Sequence, residues 1–184
     1  MNKKPAPKLQ HKPQFEKNAL YFVPLGGSEQ FGVNMNVYTS GGKFLVVDCG
    51  MGFADERFPG IDLVLPDPLF LEQNKDKLQA LVITHAHEDH IGAVAYLWKR
   101  IQCPIYATQF TAAVLREKLN DMQVKNVPVH VVEPNQEFDI GPFGLTFIPV
   151  SHSVPDTCAP LIETPEGNVL HSGDWNLDPK PVVG

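Results

Sequence analysis

The chain reads as an α/β (α+β) domain, and three observations predict it. Short β-rich runs alternate with two stretches whose apolar residues recur at helical spacing. Seventeen prolines and fourteen glycines in 184 residues favour short strands and many turns over a helical bundle. The histidines and aspartates best suited to chemistry stand just after the predicted strands, where a sheet presents side chains along one edge. A content of 43% hydrophobic and 20% charged residues is that of a globular protein, with one domain as the default.

Residues 1–18 form a polar, basic stretch without an apolar core and read as a disordered tail; residues 19–184 form the domain. Ala19 to Leu25 is the first strand. Asn34 to Thr39 and Lys43 to Asp48 pair across Ser40-Gly41-Gly42 as a hairpin. Gly50 to Pro68 is an irregular excursion with one brief extended piece at Ile61 to Leu65. Leu81-Val82-Ile83 is a strand buried on both faces. Ile91, Val94, Ala95, Trp98 and Ile101 share one helical face, which places the intervening histidines in a strand-to-helix loop. Ala112, Leu115, Leu119 and Met122 mark a second helix. Strands follow at Ile105 to Ala107, Val129 to Val132 and Leu145 to Val150, and Ala159 to Glu163 pairs with Asn168 to His171 around Pro165-Glu166-Gly167. The chain stops at Gly184 without a closing element, as a truncated chain would.

The net charge of -6 supplies no broad basic field, so a polyanionic substrate needs bound metal or further chain to attract it. Cys49, Cys103 and Cys158 are odd in number and lack C-x-x-C spacing, which suggests neither a disulfide framework nor a thiolate zinc site and fits a reducing cytoplasm. No stretch approaches a membrane span in length.

His85, His87, Asp89 and His90 form H-x-H-x-D-H, three imidazoles and a carboxylate within six residues. These ligand types suit zinc, and the loop lets them address two neighbouring ions. The alternative is a polar capping loop of solvated histidines, but four coordinating side chains so close after a buried strand are costly without a function. His152 and Asp174 each follow a strand in the same manner. Asp48, at the end of the hairpin, is either a turn residue or an acceptor that orients a metal ligand. Gly26-Gly27-Ser28 lacks the spacing and lysine of a phosphate loop. His130 and His171 are left out of the metal set.

The order Asp48, H-x-H-x-D-H, His152, Asp174 resembles the successive motifs of the metallo-β-lactamase superfamily. That resemblance implies an αβ/βα sandwich, of which this chain is the first part, with metals at the sheet edges. His87, where flavodiiron relatives carry Glu, favours a zinc hydrolase over an oxygen-reducing iron protein. Within the superfamily, Pro24 to Ser28 with Gly32 and Asn34, Pro59 to Asp67, Thr84 to Gly92, Ser151 to Asp156 and His171 to Trp175 are similar to ribonuclease J. Two departures stand out. Glu29-Gln30-Phe31 replaces a Gly-Glu-Ile-like sequence, and the β-CASP domain and a later metal-binding histidine are absent.

The resemblance implies a metal-dependent RNA phosphodiesterase with endonuclease and 5′-to-3′ exonuclease activity. His85, His87, His152 and Asp174 would hold one zinc, with Asp89, His90 and bridging Asp174 holding a second that is one ligand short. A bridging hydroxide would attack phosphorus, with Asp89 also guiding the proton. RNA is the implied partner, no membrane is, and any homo-oligomer would form through parts outside this sequence. Two other readings compete: a small-molecule hydrolase of the same fold, such as a glyoxalase-like thioesterase or a lactonase, and an inactive fragment or scaffold.

Overall fold

The computed structural model describes residues 14–56 and 58–180. In chain order its elements are β1 (Tyr21–Gly26), β2 (Met35–Ser40), β3 (Lys43–Val47), β4 (Gly52–Phe53), β5 (Leu63–Val64), α1 (Leu69–Glu72), β6 (Leu78–Val82) and α2 (Glu88–Ile91). They continue as α3 (Val94–Ile101), β7 (Ile105–Ala107), α4 (Gln109–Asp121), β8 (Val129–Val131), β9 (Glu137–Ile140), β10 (Phe143–Pro149), β11 (Cys158–Thr164) and β12 (Gly167–Leu170).

Six strands form one sheet in the order β1-β2-β3-β6-β7-β8. The first three are antiparallel neighbours, and β3, β6, β7 and β8 run parallel. The second sheet, β12-β11-β10-β9, is antiparallel throughout. The central strands of the first sheet are buried on both faces, which is why they read as continuous apolar runs. Phe44, Val46, Leu81 and Ile83 face a core that also contains Leu97, Trp98 and Ile101 of α3 and Leu115 and Leu119 of α4. Leu45, Val47, Ala80 and Val82 face Phe143, Leu145, Phe147 and Ile162 of the second sheet. The layers are therefore helices, sheet, sheet.

Three details depart from the sequence expectations. Phe15, inside the stretch read as a tail, packs edge-on against Tyr21, Phe44 and Phe70, so packing begins before residue 19; residues 1–13 lie outside the described part. The helix after the histidines is interrupted at Gly92-Ala93, and its first piece already contains Asp89 and His90. Met122 lies beyond the last turn of α4 and is 42% exposed, not on its apolar face. No described helix is long and apolar enough to cross a membrane.

The segment after β3 locks this arrangement to the histidine loop. Cys49 N–H donates to His90 O at 2.8 Å, Met51 N–H to Glu88 O at 3.0 Å and Gly50 N–H to Asn34 O at 2.8 Å. The approach is so close that a Cβ on Gly50 would fall 1.5 Å from the Asp89 carbonyl oxygen. Backbone cannot yield as a side-chain tip does. Gly50→Ala is therefore expected to destabilise the fold at the upper end of the roughly 1–3 kcal/mol that overpacking costs, or beyond it. The urea unfolding midpoint checks this, and an unchanged midpoint would contradict the packing described.

Candidate metal centre

Four strand ends deliver the site. Asp48 follows β3 and His85 follows β6, at the carboxyl ends of neighbouring parallel strands, where open α/β sheets bind ligands. His152 follows β10 and Asp174 follows β12, and the two sheets meet at this edge through Cys158 N–H to Thr84 O at 3.1 Å. His87 lies between β6 and α2, while Asp89 and His90 sit in the first turn of α2. All seven residues singled out in the sequence come together here.

Two overlapping groups of ligand atoms result, His85 with His87 and His152, and His85 with His90 and Asp174, each within 4.8 Å. His87 Nδ1 lies 3.1 Å from His85 Nε2 and 3.1 Å from His152 Nε2. Asp174 spans the groups, with Oδ2 3.8 Å from His152 Nε2 and Oδ1 3.5 Å from His90 Nε2. Asp89 Oδ2 is 3.5 Å from His90 Nε2.

A hydrogen-bond network behind these atoms orients their rings. Asp48 is buried and accepts the Thr84 backbone N–H at 2.9 Å, the Thr84 hydroxyl at 3.0 Å and His90 Nδ1–H at 2.8 Å. Having donated to Asp48, the Thr84 oxygen accepts from His85 Nδ1 at 2.9 Å. His85 thereby turns an Nε2 lone pair toward the cluster, as outer partners of metal-binding histidines do. Asp48 and Val33 both adopt left-handed backbone, at φ 64° and 51°. For a β-branched residue such as Val33 this is strained, a feature that collects at functional sites.

The inner donors fit a divalent metal. His87 Nδ1 offers either one proton or one lone pair and His85 Nε2 a lone pair, so the two 3.1 Å approaches cannot both be hydrogen bonds. Nitrogens bound to tetrahedral zinc at about 2.0–2.1 Å stand roughly 3.3–3.4 Å apart, close to the separations here. The donor set of imidazoles and carboxylates without thiolate suits zinc among other divalent ions.

Charge is distributed unevenly. Burial, then the neighbouring His90, pushes His85 down to about 3, so it is neutral. Burial also acts to lower His90, but the charge and hydrogen bond of Asp48, then those of Asp89, overcome it and hold His90 up at about 10. Burial acts to raise Asp48, yet its contact with His90 keeps it below its ordinary range. In the metal-free chain His90 is thus a buried cation.

A pH profile follows. His90 titrates above its ordinary 6.5 when folded, so its stabilisation is complete below about 6.5 and is lost as pH rises toward 10. His85 titrates below 6.5, so folding loses stability as pH falls from about 6.5 toward 3, and Asp48 adds to that loss further down. Chelator-treated protein should show maximal thermal stability near pH 6.5 with a decline on both sides. A profile still rising at pH 9 would contradict it.

Two participants were not legible as such. Thr84 organises Asp48, His85 and His90, and Asn34 Nδ2 lies 3.3 Å from Asp89 Oδ2 and 3.2 Å from His90 Nε2. Both stood in segments similar to ribonuclease J, Asn34 with Gly32 and Thr84 at the head of the hexad, but neither was read as a partner of the ligands. Gly27 has a role other than phosphate binding, since a Cβ there would meet Asn34 Oδ1 at 2.3 Å. His171 is tied to Tyr38 by a 2.9 Å hydrogen bond, and His130 stacks on Tyr106.

The family model of the metallo-β-lactamase superfamily matches residues 29–180, which takes in every ligand candidate. The chain belongs to the metallo-β-lactamase superfamily. Among its metallo-β-lactamase relatives, ribonuclease J of Sinorhizobium meliloti is 38% identical over 179 residues, covering 95% of this chain and 32% of that protein. Ribonuclease J of Mycolicibacterium smegmatis is 42% identical over 173 residues, covering 94% and 31%. The chain thus spans about a third of the length of these relatives. Among solved structures, the metallo-β-lactamase fold protein YhfI from Bacillus subtilis aligns with TM-score 0.60 and 21% identity, over 86% of this chain and 63% of that one. Zinc-bound PqqB from Methylobacterium extorquens aligns with TM-score 0.58 and 15% identity, over 81% and 63%. At these identities the two structures show a shared fold.

Proposed function

We propose that the chain carries the metal-binding part of a ribonuclease J-type RNA phosphodiesterase, an endonuclease and 5′-to-3′ exonuclease of the cytoplasm that uses zinc. The observation that carries this reading is the 38% identity to a ribonuclease J across 95% of the chain, including every segment that builds the cluster. His85, His87, His152 and Asp174 would hold a first ion, with Asp89, His90 and the second oxygen of Asp174 directed at a neighbouring position. Two bound divalent ions supply a water nucleophile of lowered pKa and neutralise charge on the phosphoryl oxygens.

The chain's own groups set the conditions for that chemistry. Asp48 and Thr84 hold the His85 and His90 rings in fixed orientations. Asn34 steadies Asp89, whose carboxylate is kept low chiefly by its hydrogen bond with His90 and is therefore ionised, as a metal ligand must be; guiding the proton would be its second role. The net charge of -6 favours the competing reading, a thioesterase or lactonase with no need of a polyanion groove.

The readings separate in one assay set. Zinc-loaded protein is offered single-stranded RNA, a thioester and a lactone, with a chelated control. Zinc-dependent cleavage of RNA alone by the longer protein, with much weaker cleavage or none by residues 1–184, is the expected result, and turnover of either small substrate by the longer protein with RNA untouched would replace the nuclease by the small-molecule hydrolase.

A further inference from the structure

Helix α4 supplies no ligand to the metal cluster, yet it is bonded to both of the loops whose imidazoles face each other there. His87 belongs to the loop after β6 and His152 to the loop after β10, and their Nδ1 and Nε2 atoms stand 3.1 Å apart. Glu88, next to His87, reaches α4 with its side chain, where Oε1 pairs with Lys118 Nζ. At the start of the helix, Phe110 N–H donates to Asp156 Oδ2 at 3.1 Å, and the buried Thr108 hydroxyl donates to Asp156 O at 3.1 Å. Asp156 stands four residues after His152 in the same loop. Because α4 begins without a side-chain cap of its own, this carboxylate serves as one from another element, at the end where the helix dipole favours negative charge.

The Glu88 contact differs from an ordinary solvated ion pair. Its second oxygen, Oε2, is shielded from solvent and has no hydrogen-bond partner among the described residues. The carboxylate fits there because residue 92 is glycine: a Cβ on Gly92 would fall 2.7 Å from Glu88 Oε2 and 2.5 Å from Glu88 O. A carboxylate with one oxygen shielded and unbonded stays in place only while a cation holds the other, and Lys118 is that cation. Without Lys118 the side chain gains by swinging out to water.

The two attachments are well separated. Phe110 and Lys118 are eight residues apart, about 12 Å along the helix at 1.5 Å per residue. Close to the ligands, the same two loops are joined directly by Cys158 N–H to Thr84 O at 3.1 Å. One such bond is a pivot. A second connection at a distance, through a helix packed on the core by Ala112, Leu115 and Leu119, removes the rotation that the pivot leaves.

We propose that α4 is a strut that sets the spacing between the His87 loop and the His152 loop, with Lys118 and Asp156 as its positioning residues. The inference rests on the metal reading of the cluster and adds to it the device that keeps ligands from two different sheets in register for one ion. Lys118 acts through Glu88, whose neighbours on either side are His87 and Asp89. Asp156 acts through the backbone of residues 152–156. Neither touches the ion.

The test measures zinc affinity by competition with a chromophoric chelator, beside the visible spectrum of the cobalt(II)-loaded chain and the melting temperature of chelated protein. Lys118→Met and Asp156→Gly should each raise the zinc Kd about 2- to 30-fold, the range expected of residues that act on a site without touching its ligand, and should alter the cobalt spectrum. Glycine removes the carboxylate without straining the backbone, which has φ 58° at Asp156. The melting temperature of Lys118→Met should barely move, since Glu88 then relaxes into water. Lys118→Arg keeps the charge, and Asp156→Asn keeps an acceptor and tolerates the left-handed backbone, so both should bind zinc as the wild type does. A strut fails when either end is released, so the double variant Lys118→Met with Asp156→Gly should lose little more affinity than the weaker single variant. Losses that multiply in the double variant, an unchanged Kd in both single variants, or conservative variants as impaired as the others would each overturn the strut while leaving the cluster as the metal site. Absence of zinc binding by the wild-type chain would instead remove the metal reading, and the strut with it.

Discussion

His87→Ala is expected to abolish zinc retention and, with it, hydrolysis. His87 Nδ1 is the atom shared by both 3.1 Å approaches, to His85 Nε2 and to His152 Nε2, so its removal leaves two imidazoles with no third nitrogen between them. Loss of an outer partner alone costs roughly 10- to 100-fold in metal affinity, and loss of an inner nitrogen should exceed that. The ring is half-buried at the sheet edge and contributes nothing to either apolar core, so the metal-free fold should survive. Calorimetric zinc titration beside the melting temperature of chelated protein separates the effects. Tight zinc binding by the variant would remove His87 from the ligand set.

Asp48→Asn should damage both fold and site. Asparagine tolerates the left-handed backbone at this position, so the change isolates charge from conformation. It leaves His90, buried and cationic in the metal-free chain, without its counter-charge. Removing one partner of a buried pair costs about 3–5 kcal/mol. Part of that cost is relieved if His90 then loses its proton, in which case the alkaline decline in stability should vanish. Zinc affinity should fall about 10- to 100-fold, because the Thr84 and His90 orientations both depend on this carboxylate. Urea unfolding at about pH 6.5 and at about pH 9 reads the two effects. Wild-type stability at both would mean that Asp48 is only a turn residue.

Much of the fold was legible because its signals are local. The hairpin of β2 and β3 is announced by two β-prone runs flanking the Ser40-Gly41-Gly42 turn, and β6 by an apolar run just before the hexad. The failures have physical causes. β9, Glu137–Ile140, has only Phe138 and Ile140 as apolar residues, too short a period to stand out, and it exists because β10 offers it an edge. α1 spans four residues and is held by Phe70 and Leu71 packing into the core, a tertiary effect. The break at Gly92-Ala93 is equally tertiary, since Ala93 N–H is drawn to Cys49 O at 3.0 Å.

The site was more legible than the fold around it, for the opposite reason. Ligand chemistry is restricted to a few residue types, and H-x-H-x-D-H concentrates four of them. Thr84 and Asn34 escaped because hydroxyls and amides are common in loops, and only the coordinates show them bonded to Asp48, His85, Asp89 and His90.

The most direct test is anomalous diffraction at the zinc edge from crystals of zinc-loaded protein. A peak about 2.0–2.2 Å from His85 Nε2, His87 Nδ1 and His152 Nε2, with an Asp174 oxygen completing the set, is the expected result. Zinc bound away from these atoms, or no zinc in the cluster, would contradict it.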